Sequence, residues 1–156
     1  MKLHKMKPLN LQRSALRQEA TLTLLCESEA ESMPEILFWL YLANAVLLIT
    51  HEIDSAYWQE WKMFGIPGGI NGFLILHIPL VFLVLYGLVL VLQQTFSGLI
   101  FSLLLSFAGI FAFVVHTLFI KLGRQEFRTP VSLGILIASF IVSLAQAAVP
   151  VLLIMA

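Results

Sequence analysis

Charged side chains are scarce in this chain of 156 residues: they make up 12% of it, against 60% hydrophobic. That is about half the charge of an average soluble protein and too little to coat a globule of this size. The formal net charge is zero and no long basic cluster occurs, which excludes the electrostatic footprint of a nucleic-acid binder. Cysteine is nearly absent. The single Cys26 can form no internal disulfide and no Cys-x-x-Cys relay, since both need a second thiol in the chain.

What the chain has instead is long apolar runs, with a mean hydropathy of +0.94. A bilayer core about 30 Å thick requires roughly 20 mostly apolar residues as a helix, because unpaired peptide groups in hydrocarbon cost several kcal/mol. Four segments reach that length, at about 34–56, 70–92, 98–122 and 131–154. The expected fold is therefore all-α: an integral membrane four-helix bundle of antiparallel, up-down topology, the links being too short for anything else. Pro34 and Glu35 suit the first helical turn of the first span. The run Gly65-Ile66-Pro67-Gly68-Gly69 breaks the chain before the second. Tyr57, Trp58 and Trp61 gather where the first span leaves the membrane, as interfacial aromatics do, and Trp39 and Tyr41 are assigned to the opposite interface.

Residues 1–32 differ in kind. They carry Lys2, Lys5, Lys7, Arg13 and Arg17 and then Glu19, Glu27, Glu29 and Glu31, with no apolar core of a secretory signal among them. They read as a polar, flexible or weakly helical tail ahead of a membrane domain at 33–156, and Met33 is an alternative start. Lys62, Lys121, Arg124 and Arg128 all fall on the side of the first and third links. By the positive-inside rule this places those loops in the cytoplasm and both termini outside.

Polar residues kept within apolar spans mark function, because each is expensive there. They fall at one level. His51 and Glu52 close the first span with Asp54 just beyond, His77 lies about 10 Å into the second, and His116 lies six residues before the end of the third. Glu126 belongs to the link that follows. At 100° per residue Asn44, Leu48, His51, Ser55 and Trp58 share one stripe, with Asp54 at its edge and Glu52 a quarter turn away. Gly98, Ser102, Ser106, Gly109 and His116 form a second stripe, and Ser132, Ser139, Ser143, Gln146 and Pro150 a third. Small residues at this spacing let helices approach closely.

Neutral imidazoles with carboxylates are a ligand set for zinc or non-haem iron, and three protein ligands leave an open position. The expected metal ligands are His51, Asp54, His77, His116 and Glu126, with Glu52 as the catalytic general base toward a water activated by the ion. Arg128 is read either as a lid residue pairing Glu126 or Asp54, or as a headgroup anchor. Two other outcomes are open: a proton or ion conduit built from the same residues, or an accessory subunit whose polar stripes only hold helices together. His51-Glu52-Ile53-Asp54-Ser55 begins like H-E-x-x-H, but Ser55 stands at the second histidine and breaks that signature. No Gly-x-Ser-x-Gly elbow occurs.

Across His51-Glu52-Ile53-Asp54-Ser55-Ala56-Tyr57-Trp58, Phe64-Gly65-Ile66-Pro67-Gly68-Gly69, His77 and Glu126-Phe127-Arg128-Thr129-Pro130-Val131-Ser132, the chain resembles a family of short bacterial integral membrane proteins of unknown function. The resemblance covers about Met33 to the C terminus. It implies the four-span fold and a signature containing His51, Glu52, Asp54, His77 and His116, but supplies no activity; the location expected is a bacterial inner membrane. The chain also resembles, more loosely, the HXXEE-domain membrane proteins, with His51 and Asp54 in the places of the first histidine and first acid; Ser55 departs from the second. The partner expected throughout is the lipid bilayer. Protein partners are left open, a homo-oligomer among them.

Overall fold

The structure is a computed structural model that describes residues 9–124 and 128–155. Its described residues are helical apart from short links: α1 (Leu9–Tyr57), a single 3-10 turn (Glu60–Lys62), α2 (Gly69–Leu92), α3 (Phe96–Lys121) and α4 (Pro130–Met155). The chain divides into two units, Met1–Glu35 and Ile36–Ala156. In the first, residues 9–35 are helical backbone, in keeping with their alanine, leucine, glutamate and arginine content. The division falls beside Pro34, whose missing N–H removes one helical hydrogen bond.

Four apolar segments are each long enough to cross a bilayer, Glu35–Tyr57, Gly69–Leu92, Phe96–Lys121 and Pro130–Met155, and apart from Glu35 they make up the packed second unit. They agree with the spans expected from hydropathy to within two residues, the usual uncertainty of a helix end. Burial is inverted relative to a water-soluble protein. The most deeply buried side chains include Asn44, Ser102, Ser139, Ser143 and Gln146, whereas Ile75, Ile78, Phe82, Phe107 and Ile141 are exposed. Only an apolar solvent makes that arrangement favourable, so the chain is an integral membrane protein.

All three polar stripes face inward, as their spacing predicts. Asn44 of α1 donates to Ser143 Oγ (3.0 Å) and Gln146 Oε1 (2.7 Å) of α4, and its own Oδ1 accepts from Ser139 and Ser143. Gln146 in turn donates to the carbonyl and hydroxyl of Ser102 on α3, each at 3.0 Å. Gly109 completes the junction, since a Cβ there would meet the Ser139 and Ser143 hydroxyls. Along α3 and α4 the partners run in opposite numerical order: Gln146 meets Ser102, and Phe140 stacks on Phe113.

Tyr41 departs from its expected interfacial place. It is buried, and its hydroxyl donates to the Val84 carbonyl of α2 at 2.9 Å. The reason is Gly87, one turn further along α2, where a side chain would occupy the space of the Tyr41 hydroxyl and of Phe101. At the same end Gly98 lets α3 lie against the backbone of α2, so closely that a Cβ at this position would stand 2.6 Å from the Leu90 carbonyl oxygen. Backbone cannot yield as a flexible side chain can. Gly98→Ala should therefore cost about 1–3 kcal/mol as overpacking, read as a loss of thermal stability in mild detergent. Gly134→Ala is the control, because nothing lies within 4 Å of a Cβ there; equal stabilities of the two variants would contradict the close approach.

Candidate metal centre

The link after α1 makes the site. Gln59 takes a left-handed conformation (φ 57°), and the 3-10 turn that follows sends Glu60 back against the helices, where it is 9% exposed. Met63 N–H closes the turn on the Glu60 carbonyl at 2.8 Å. Trp61 packs on Phe73 of α2 and Phe64 on Phe119 of α3, with ring centroids 5.6 Å apart in both cases. These aromatics seat the link on two helices, and the positive φ at Gly65, Gly68 and Gly69 lets it re-enter α2 sharply.

Glu60 thereby joins His51 of α1 and His116 of α3. One ligand atom from each of the three lies within 4.8 Å of the others, and all three residues are buried. The two imidazoles meet edge to face with centroids 4.6 Å apart. His116 Nδ1 donates to the Ala112 carbonyl one turn back at 2.7 Å, which directs Nε2 toward Glu60 Oε1 at 3.4 Å. That separation is long for a hydrogen bond. It does match two ligands of one tetrahedral ion, which stand about 3.4 Å apart when each bond is about 2.1 Å. Anchoring of the remote imidazole nitrogen by a backbone carbonyl is also how metal-ligating histidines are oriented.

Glu60 is the one titratable group of this cluster outside the spans. Burial by itself raises its carboxyl, but contact with the His116 imidazole and the Ser55 hydroxyl, with the fields of His116 and His51, outweighs burial and holds it below the ordinary glutamate range. The stabilisation this implies is present above the unfolded value of about 4.3 and is lost as pH falls through the lower folded value. In metal-free protein, the gap in thermal midpoint between wild type and Glu60→Gln should be widest above the unfolded glutamate value and narrow as pH falls below it. A gap that widens on acidification would contradict that sign.

The other expected site residues fall into separate places. Glu52 and His77 form a pair of their own: Nε2 of His77 is 2.7 Å from Glu52 Oε2, and its Nδ1 donates to the Phe73 carbonyl at 2.6 Å. Phe73 also stacks on the ring at 3.8 Å. With Nδ1 a donor, the short contact needs one proton between Nε2 and Oε2, either as imidazolium and carboxylate or as imidazole and carboxylic acid. Asp54 is partly buried and is not one of the clustered three. Glu126 lies outside the described residues. Arg128 donates to the Ile120 carbonyl at 3.2 Å, across the C-terminal end of α3.

Both groups line one cavity of about 620 Å³ between α1, α2 and α3. His51, Glu52, Glu60, His77 and His116 form its polar end, and Tyr41 lies at the other. The walls between them are aliphatic and aromatic. Glu60 is the member that reasoning from the spans overlooks, because it sits in a polar link that hydropathy assigns to water. Its neighbours Trp58 and Trp61 are the available signal, since paired aromatics can hold such a link against the bundle.

Residues 37–152, most of the chain and all of the residues that build this centre, match the Family of unknown function (DUF6713). The chain belongs to that family. No curated protein and no solved structure matches it. The DUF6713 match begins within α1 and ends within α4, so it takes in the second and third spans, most of the first and fourth, the 3-10 turn carrying Glu60 and the Glu52–His77 pair.

Proposed function

We propose that this DUF6713 protein is a metal-dependent enzyme of the membrane, acting on lipid-phase substrates at a divalent ion held by His51, Glu60 and His116. One observation carries the reading: His116, with Nδ1 fixed on Ala112, presents Nε2 to Glu60 at the edge length of a metal tetrahedron. Two histidines and one carboxylate suit catalytic zinc and equally the facial triad of non-haem iron, and both leave positions for water or substrate. Hydrolysis is the reaction class best supported by the remaining groups. An ion of this kind polarises a carbonyl and acidifies water, and the Glu52–His77 pair in the same cavity can take up or release a proton.

The setting follows from charge. Lys62, Lys121, Arg124 and Arg128 favour a cytoplasmic face for the links that carry them, hence for the metal centre; the resemblance to short bacterial membrane proteins is what favours a bacterial inner membrane. Metal analysis of the full chain, purified in mild detergent without added metal, tests the reading. About one zinc or iron per chain is expected, removable by chelator and restored on addition. A protein that neither carries nor takes up zinc or iron stoichiometrically would sink it.

A further inference from the structure

Ser55 is a buried hydroxyl that neither the bundle nor the cavity employs. It is 0% exposed, and its Oγ makes no hydrogen bond. In this it is alone among the buried hydroxyls of the described residues. Ser106 donates to the Ser102 carbonyl at 2.8 Å, Ser132 shares a bond with Thr129 at 2.6 Å, and Ser139 and Ser143 donate to Asn44. A serine inside a helix has a partner at hand in the carbonyl four residues back, and Ser106 takes it. Ser55 does not take the carbonyl of His51. An unpaired hydroxyl in the interior is costly, so the position calls for another partner.

The place of the hydroxyl identifies that partner. Ser55 follows His51 by one turn on the same stripe of α1, about 6 Å further toward the link. Glu60 returns from that link, and its carboxylate contacts the Ser55 hydroxyl without a hydrogen bond of ordinary length. A carboxylate that binds an ion through one oxygen keeps a second, and Glu60 is too deeply buried for bulk water to serve it. The two imidazoles beside Glu60 are ligands, which leaves Ser55 as the donor. We propose that Ser55 is a positioning residue of the metal centre, its hydroxyl donating to the Glu60 oxygen that the ion leaves free and fixing the carboxylate toward His51 and His116. This rests on the metal reading above. Partners of this kind orient ligating groups, and losing one typically lowers metal affinity about 10–100-fold. Ser55 is not among the groups that line the cavity, so its bond to Glu60 leaves the open positions of the ion to water or substrate.

The test measures zinc affinity by chelator competition, and the thermal midpoint of metal-free protein, on full-length chains in mild detergent. Ser55→Ala removes the hydroxyl without adding bulk, and its zinc affinity should fall by about tenfold or more. Ser106→Ala is the opposite case, because it breaks a bond that the metal-free fold already has. Its midpoint should drop while its zinc affinity stays within about threefold of wild type. The metal-free midpoint of Ser55→Ala should fall less than that of Ser106→Ala, since the hydroxyl lost is in contact with Glu60 but not bonded to it. Added to Glu60→Gln, Ser55→Ala should change zinc affinity by less than about threefold, because the amide has no second oxygen to hold. Each of three results would overturn the proposal: unchanged zinc affinity in Ser55→Ala, a fall of its metal-free midpoint as large as that of Ser106→Ala, or the full loss of affinity persisting in the Glu60→Gln background. A wild type that takes up no zinc would overturn the metal reading and the role of Ser55 with it. A wild type that binds zinc beside an unaffected Ser55→Ala overturns that role alone, so the two failures are distinguishable.

Discussion

Replacing Glu60 with glutamine is expected to lower zinc or iron affinity by about 100-fold or more, above the 10–100-fold typical of losing only a residue that supports a ligand. The amide keeps the size of the side chain but removes the only negative charge among the three clustered groups. Two controls make the result specific. Asp54→Asn and His77→Gln should retain the metal within a few-fold, because neither residue belongs to the cluster, although both are ligands by sequence reasoning. Chelator competition with metal quantification reads all three variants. Retention by Glu60→Gln together with loss in His77→Gln would restore the ligand set expected from the spans and remove Glu60 from it.

Asn44→Leu should be the most destabilising change away from the metal centre. Asn44 is fully buried and joins Ser139, Ser143 and Gln146 through four hydrogen bonds. Interhelical bonds in membranes average about 0.6 kcal/mol each, and groups left without partners in the interior cost about 1–3 kcal/mol. A loss of about 2–4 kcal/mol follows from those ranges. Thr50→Ala is the matched control, since its hydroxyl is exposed and donates only to the Val46 carbonyl of its own helix. Reversible unfolding in mixed micelles gives both values. A loss below about 1 kcal/mol for Asn44→Leu would mean that the network contributes only average bonds that the chain readily replaces.

Why some elements are legible in the sequence, and others not, follows from the kind of signal each leaves. Asn44, His51 and Ser55 recur at helical spacing, as do Ser102, Ser106, Gly109 and His116, so their shared inward face follows from 100° per residue alone. Glu52 stands a quarter turn off that stripe, which is the direction from which it meets His77 on α2. Tyr41 is misread from sequence because an aromatic near a span end carries the same composition signal whether it faces headgroups or a glycine on the neighbouring helix. Periodicity gives the face of a residue but not its partner.

The amino-acid sequence by itself determined the solvent of this protein, the four spans and the inward polar stripes, because hydropathy over about 20 residues and helical phase are local quantities. It also supplied His51 and His116 as candidates, since a histidine in a span is costly wherever it points. Only the tertiary structure decided which carboxylate joins them. Glu60 enters through the left-handed Gln59, the 3-10 turn and the packing of Trp61 and Phe64 on two different helices, and no spacing rule spans that turn. The same packing separated Glu52 and His77 into a proton-sharing pair, because a 2.7 Å contact between residues 25 positions apart depends on how α1 and α2 lie together and not on either helix alone.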